Sequence, residues 1–93
     1  MLEKDIERKL VAEAKKRGCI PIKLLSASYN GLPDRLILAL DEHVGFIELK
    51  APGEKPRPLQ LHRHAQLRAL GFKVYVVDGI EQIGGVLDEI CSP

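Results

Sequence analysis

Asp34, Glu48 and Lys50 are ionisable residues set against apolar runs. Asp34 precedes the run 36–40, and Glu48 and Lys50 lie inside and at the end of the run 44–50. Alternate side chains of an extended strand share a face. Val44, Phe46, Glu48 and Lys50 therefore share one face, and Gly45, Ile47 and Leu49 the other. A solvated face does not usually carry Val and Phe, and a core face does not usually carry Glu and Lys. Hard divalent cations such as Mg2+ take carboxylate, carbonyl and water oxygens. Asp34 at a strand mouth and Glu48 on the next strand are candidate ligands, with the Leu49 backbone carbonyl beside Glu48. Lys50 is a candidate catalytic lysine that orients an attacking water or offsets charge on a scissile phosphate. A metal in such a site lowers the pKa of bound water and stabilises the phosphoryl transition state. The spacing alone fits two plainer roles equally well. Glu48 and Lys50 could form a same-face ion pair worth about 0.2–1 kcal/mol, and Asp34 could cap the turn after Pro33.

The elements that must position these residues follow from periodicity. Ile6, Leu10 and Ala14 recur at helical spacing and predict a helix over 3–17, closed by Gly18 with Lys15, Lys16 and Arg17 at the negative end of its dipole. Residues 19–25 predict a short strand whose Pro21 places it at a sheet edge or strand start. The loop "SASYNGLPD" delivers Asp34 to a strand over 35–40, and "DEH" joins that strand to 44–50 as an antiparallel hairpin. The basic loop "APGEKPRP" leads to a helix over 59–70, ended by Gly71, and 72–77 form a last strand. Asp78 and Glu81 match a capping box before the stripe Ile80, Ile83, Leu87 and Ile90, a helix over 79–90. The order α-β-β-β-α-β-α predicts an α/β fold, a mixed four-stranded sheet flanked by helices. The crossover through 59–70 makes the last strand parallel to 44–50 by a right-handed connection.

Ninety-three residues fit one domain, 1–93, with a modest core. A net charge of +1 argues against a tail-like or histone-like nucleic-acid binder but leaves room for a local basic patch. Cys19 and Cys91 have neither zinc spacing nor a disulfide framework and are expected as small, partly buried thiols. The charged start "MLEKDIERKL" has no apolar signal region and no run reaches membrane-spanning length. The expected location is the cytoplasm of a bacterium or a phage-infected host, with no membrane partner. His62 and His64 do not share a helical face, so they make a poor chelating pair. His43 is expected exposed in the hairpin turn.

"GLPDRLILAL", "VGFIELKAPG", "PRPLQLHRHAQLRALG" and "KVYVVD" together resemble the VRR-NUC family of the PD-(D/E)XK nuclease superfamily, in its small stand-alone phage and bacterial form. The superfamily signature stands here as Pro33-Asp34 and Glu48-Leu49-Lys50, and the family's Gln at the start of the next helix matches Gln60. A Glu of the first helix matches Glu7. A Lys and a Ser before the PD match Lys23 and either Ser26 or Ser28. The resemblance spans roughly residues 3–83 and departs from the pattern at no core position.

It implies a restriction-endonuclease-like core and metal-dependent endonucleolytic hydrolysis of DNA phosphodiesters, with Mg2+ in use, Mn2+ able to replace it, and no nucleotide cofactor. Asp34, Glu48 and the Leu49 carbonyl would hold the ion, with Glu7 a further candidate from the first helix. Lys50 and Gln60 would serve the reaction. Lys23, Ser28, Lys55, Arg57, Arg63 and His64 are the expected DNA contacts, with Arg68 on the same basic flank, and Arg35 either pairs with an acid or meets DNA. Phosphate contacts of this kind suit recognition of shape over sequence. Tyr29 could stack on an unpaired base. Stand-alone members resemble homodimers acting on branched DNA such as four-way (Holliday) junctions, as resolvases do. The competing readings are a flap or general DNA nuclease, a sequence-specific restriction-type enzyme, an RNA-directed nuclease, and a non-catalytic DNA-binding subunit of a phage complex.

Overall fold

The computed structural model describes residues 1–92. Helix α1 (Glu3–Lys16) leads into strands β1 (Ile20–Lys23), β2 (Arg35–Leu38) and β3 (Val44–Leu49). Helix α2 (Pro58–Ala69), strand β4 (Lys73–Val77) and helix α3 (Ile83–Cys91) complete the chain. The strands form one sheet in the order β1-β2-β3-β4. The first two pairings are antiparallel, and β3 with β4 is parallel. This is the predicted mixed sheet.

Each boundary has a local cause. Helix α1 ends with Gly18 at φ +76, where the Gly18 N–H donates to the Lys15 carbonyl and the Cys19 N–H to the Ala14 carbonyl. Gly71 closes α2 in the same way, with Phe72 N–H reaching the Leu67 carbonyl. Both are left-handed caps that a Cβ would strain. Strand β2 stops at Leu38, two residues short of expectation. There Leu40–Glu42 wind into a 3-10 turn with Asp41 and Glu42 at φ 59 and 64, and Ala39 N–H donates to the His43 carbonyl. Strand β1 is also shorter than expected, covering 20–23 only.

The cap before α3 also differs from expectation. A 3-10 turn over Ile80–Gln82 precedes the helix, which brings Gln82 rather than Glu81 to the capping position. Its Oε1 accepts from the Asp78 and Gly79 amides at 2.8 and 3.2 Å, and its amide donates to Asp78. His43 is half-buried, its Nδ1 3.0 Å from the Cys91 carbonyl, because the hairpin turn folds back against the end of α3.

The sheet has two unlike faces. Ile37, Ile47, Leu49 and Val77 meet Ile6, Leu10 and Ala14 of α1 and Ile83, Leu87 and Ile90 of α3 in one fully enclosed core. Cys19 joins this core, its sulfur 3.7 Å from that of Cys91. The opposite face carries Phe46 and Glu48, and α2 lies over it, burying Gln60 and His64. Phe46 meets Phe72 edge to face there, with centroids 5.5 Å apart.

At Gly45 the core face has no room for a side chain. A Cβ there would lie 2.5 and 2.7 Å from two carbons of Ile90. Gly45→Ala should therefore destabilise the protein by about 1–3 kcal/mol, the usual range for an overpacked core. In thermal melts Ile90→Val in the same chain should recover part of the lost midpoint.

Candidate active site

Asp34 is held from two sides. Its carbonyl accepts the Leu24 amide at 2.9 Å, which extends the β1–β2 ladder by one residue. Its Oδ2 accepts the Leu49 amide at 2.7 Å. The β2–β3 register pairs Arg35 with Ile47, so the next step sets Asp34 opposite Glu48 on the same face. In an antiparallel ladder the N–H and C=O of one residue lie on the same strand edge. The Leu49 carbonyl therefore faces the Asp34 side, while the following amide, Lys50, turns the other way to the Val77 carbonyl.

Glu48 is 1% exposed, and α2 supplies its partners. Gln60 donates from Nε2 to Glu48 Oε2 at 3.1 Å, and its own Oε1 accepts the Arg57 amide at 2.8 Å. His64 Nε2 lies 3.4 Å from Glu48 Oε1. Lys50 Nζ stands 3.8 Å from Glu48 Oε2. Burial raises the Glu48 pKa to about 8, assisted by the Asp34 charge and contact and opposed by Lys50. Burial also lowers the pKa of His64, assisted by Arg68 and Lys50.

The donors fit a hard divalent cation. Two facing carboxylates and a strand carbonyl offer oxygen only, and with both acids ionised one nearby lysine leaves an excess of negative charge. Among the described residues no three His, Cys, Asp or Glu side chains converge as a metal cage. A hard divalent cation can be held by one or two carboxylates and complete its shell with water and substrate phosphate.

The remaining candidates are dispersed. Glu7 is engaged by Arg35, whose Nη2 and Nε donate to Glu7 Oε2 at 3.0 and 3.2 Å, while Nη1 reaches the Pro21 carbonyl. One turn earlier, Glu3 lies close enough to the site to have its pKa raised by partial desolvation and then by Asp34, with Lys50 opposing. An acid in the first turn of a helix reads from sequence as a partner of the helix dipole. Nothing in its spacing distinguished Glu3 as a neighbour of Asp34.

Lys23 is exposed at the end of β1, and Ser28 is exposed in the loop before Asp34. Lys55 and Arg57 are exposed on the approach to α2. Arg63 is turned inward: its guanidinium sits 4.0 Å over the Tyr29 ring and donates to the Asn30 carbonyl at 2.8 Å. It pins the loop to α2, and Tyr29 already has a cation on its ring. Arg68 donates to the Val74 carbonyl at 2.8 Å. His64, expected to face DNA, is 1% exposed because position 64 lies one turn below Gln60 on the buried side of α2. His62 is on the exposed side.

The raised Glu48 pKa fixes the sign of a pH effect. Between the ordinary value of 4.5 and about 8 the folded chain holds a proton that the unfolded chain releases. Stability of the metal-free protein should therefore fall as pH rises through that window. Glu48→Gln should remove this slope and raise the melting midpoint at pH 8 more than at pH 5, as differential scanning calorimetry would show. Metal must displace the same proton, so Mn2+ affinity measured by calorimetric titration should tighten by roughly tenfold per pH unit and level off near pH 8.

No family model matches the sequence. The protein named "Putative nuclease p44" of Acyrthosiphon pisum secondary endosymbiont phage 1 is 49% identical over 76 residues, covering 82% of each chain. A solved structure described as a VRR_NUC domain superposes with a TM-score of 0.86 at 26% identity, covering 92% of this chain and 94% of that one. The α-β-β-β-α-β-α order and the mixed sheet agree with these likenesses: the chain belongs to the VRR-NUC family.

Proposed function

We propose that this chain is a divalent-metal-dependent endonuclease that hydrolyses DNA phosphodiesters and prefers branched DNA such as four-way junctions. One observation carries the reading: Glu48, buried opposite Asp34 on a strand that continues into Lys50. Asp34, Glu48 and the Leu49 carbonyl would hold the ion. A bound Mg2+ or Mn2+ supplies an activated water and offsets charge on the phosphate. Lys50, whose ammonium is already drawn toward Glu48, orients that water and balances the phosphate charge as it grows. Gln60 holds the Glu48 carboxylate in place from the start of α2.

A groove of about 530 Å³ is lined by Asn30, Gly31, Leu32, Arg57, Leu59 and Gln60, the last being the partner of Glu48. Arg57 on its wall and exposed Lys55 before it suit a phosphate backbone approaching Gln60. Contacts of this kind add affinity without base readout. DNA is the substrate class that the VRR-NUC likeness supports; phosphate contacts alone do not tell it from RNA, and RNA is an outcome of the test.

Exposed apolar residues on the edge strand support a homodimer. Ile20 and Ile22 of β1 are 59% and 37% exposed, on the face opposite the α1–α3 core. A C2 dimer presents two equivalent sites, which is what symmetric cuts in a junction require. The chain is read as one domain, and among the described residues no helix is long and apolar enough to cross a membrane.

Labelled four-way junction, flap, linear duplex, single-stranded DNA and RNA should be incubated with Mg2+, Mn2+ or EDTA. Paired, metal-dependent cuts in the junction are expected, with Lys50→Ala slower by about a hundredfold or more. Dominant cutting of flap, linear DNA or RNA would displace the junction preference, and no cutting in either metal would displace the nuclease. Ile20→Lys with Ile22→Lys should shift the chain to monomer in light scattering and turn paired cuts into single nicks.

A further inference from the structure

His64 is a buried titratable side chain with no role in the reaction as described above. Its ring is 1% exposed, its Nε2 lies 3.4 Å from Glu48 Oε1, and its Nδ1 is buried without a hydrogen-bond partner among the described residues. With Glu48 ionised, the state that a bound cation requires, these facts settle which nitrogen of the neutral ring carries the proton. A proton on Nδ1 would be a buried donor with no acceptor, and it would leave the Nε2 lone pair pointing at a carboxylate oxygen. With the proton on Nε2, the ring donates to Glu48 and the unpartnered atom is only a bare lone pair, the cheaper of the two to bury. A neutral imidazole has one proton to place.

Gln60 and His64 are four residues apart on α2, and each addresses a different oxygen of the same carboxylate, Oε2 and Oε1. Residues at this spacing share a helix face. Two donors at opposite ends of a carboxylate fix its plane, whereas one donor leaves it free to turn about that bond. Each carboxylate oxygen has a second lone pair for a cation once the donor has taken the first.

We infer that His64 is a positioning residue for the metal centre: paired with Gln60, it donates from Nε2 to Glu48 and holds that carboxylate in the orientation that a divalent cation needs. The inference rests on the reading of Asp34 and Glu48 as metal ligands. It assigns His64 a role through Glu48, with no contact to the substrate. Partners of ligating carboxylates commonly alter metal affinity by about 10–100-fold.

Mn2+ alone, titrated calorimetrically into the full chain, tests it. His64→Leu fills the same space without a donor and should weaken Mn2+ by about 10–100-fold, with the metal-free melting midpoint kept within a few degrees. His64→Gln, whose amide nitrogen can occupy the place of Nε2, should recover most of the affinity. His64→Asn is too short to reach Glu48 and should bind as weakly as His64→Leu. It serves as the second donor-less variant should His64→Leu fail to fold. Wild-type affinity in His64→Leu or His64→Asn would overturn the inference, as would a His64→Gln no better than His64→Leu. Wild-type protein that binds no Mn2+ would overturn it together with the metal reading. Wild-type protein that binds Mn2+ and cuts no nucleic acid would overturn the nuclease and leave His64 in its place.

Discussion

The structure turns on the burial of one carboxylate beside another. Glu48 is 1% exposed and faces Asp34, an arrangement that pushes its pKa to about 8. A like-charged pair across a strand pair costs stability in an isolated fold. Here the surrounding elements are arranged to hold it. The ladder from β1 fixes the Asp34 backbone, the Leu49 amide fixes its side chain, and the first turns of α2 grip Glu48 from above. The folded chain keeps in place two groups that would otherwise separate, and the proposed divalent cation would relieve them.

That arrangement depends on a division of labour within the sheet. One face is given wholly to packing, with Ile37, Ile47, Leu49 and Val77 closed in by α1 and α3. This side is apolar apart from the part-buried Glu7–Arg35 pair. Gly45 lets α3 approach so closely that Ile90 occupies the space of its missing side chain. The other face is covered by a single helix, whose buried residues Gln60 and His64 are polar. Alternation along β3 links the two. Ile47 and Leu49 anchor the strand to the core, and Glu48 between them is thereby aimed at the site.

Much of this was legible before any coordinates. The helical stripe of α1, the Gly-closed helices and the hairpin gave the element order, because hydrophobic periodicity and turn chemistry are local properties. Alternation along β3 marked Glu48 and Lys50 as residues on the wrong kind of face, and Pro33-Asp34 marked the strand mouth. Long-range pairings were less accessible. Glu7 reads from sequence as an acid aimed at the site, yet Arg35 across the core face engages it. Arg63 reads as a phosphate contact, yet it is spent on Tyr29 and Asn30. His64, one turn after Gln60, reads as a site-facing phosphate contact, yet α2 packs it out of solvent against Glu48. The capping residue moved from Glu81 to Gln82 because a 3-10 turn advances the chain by a different angle per residue than an α-helix.

Asp34, Glu48 and the Leu49 carbonyl are proposed as the ligands of one divalent-cation site. The most direct test is an anomalous difference map from crystals of the wild-type chain soaked in Mn2+ at pH 8. A peak is expected within coordination distance, about 2.0–2.6 Å, of an oxygen from each of the three. A map with Mn2+ bound elsewhere and none between Asp34 and Glu48 would contradict it.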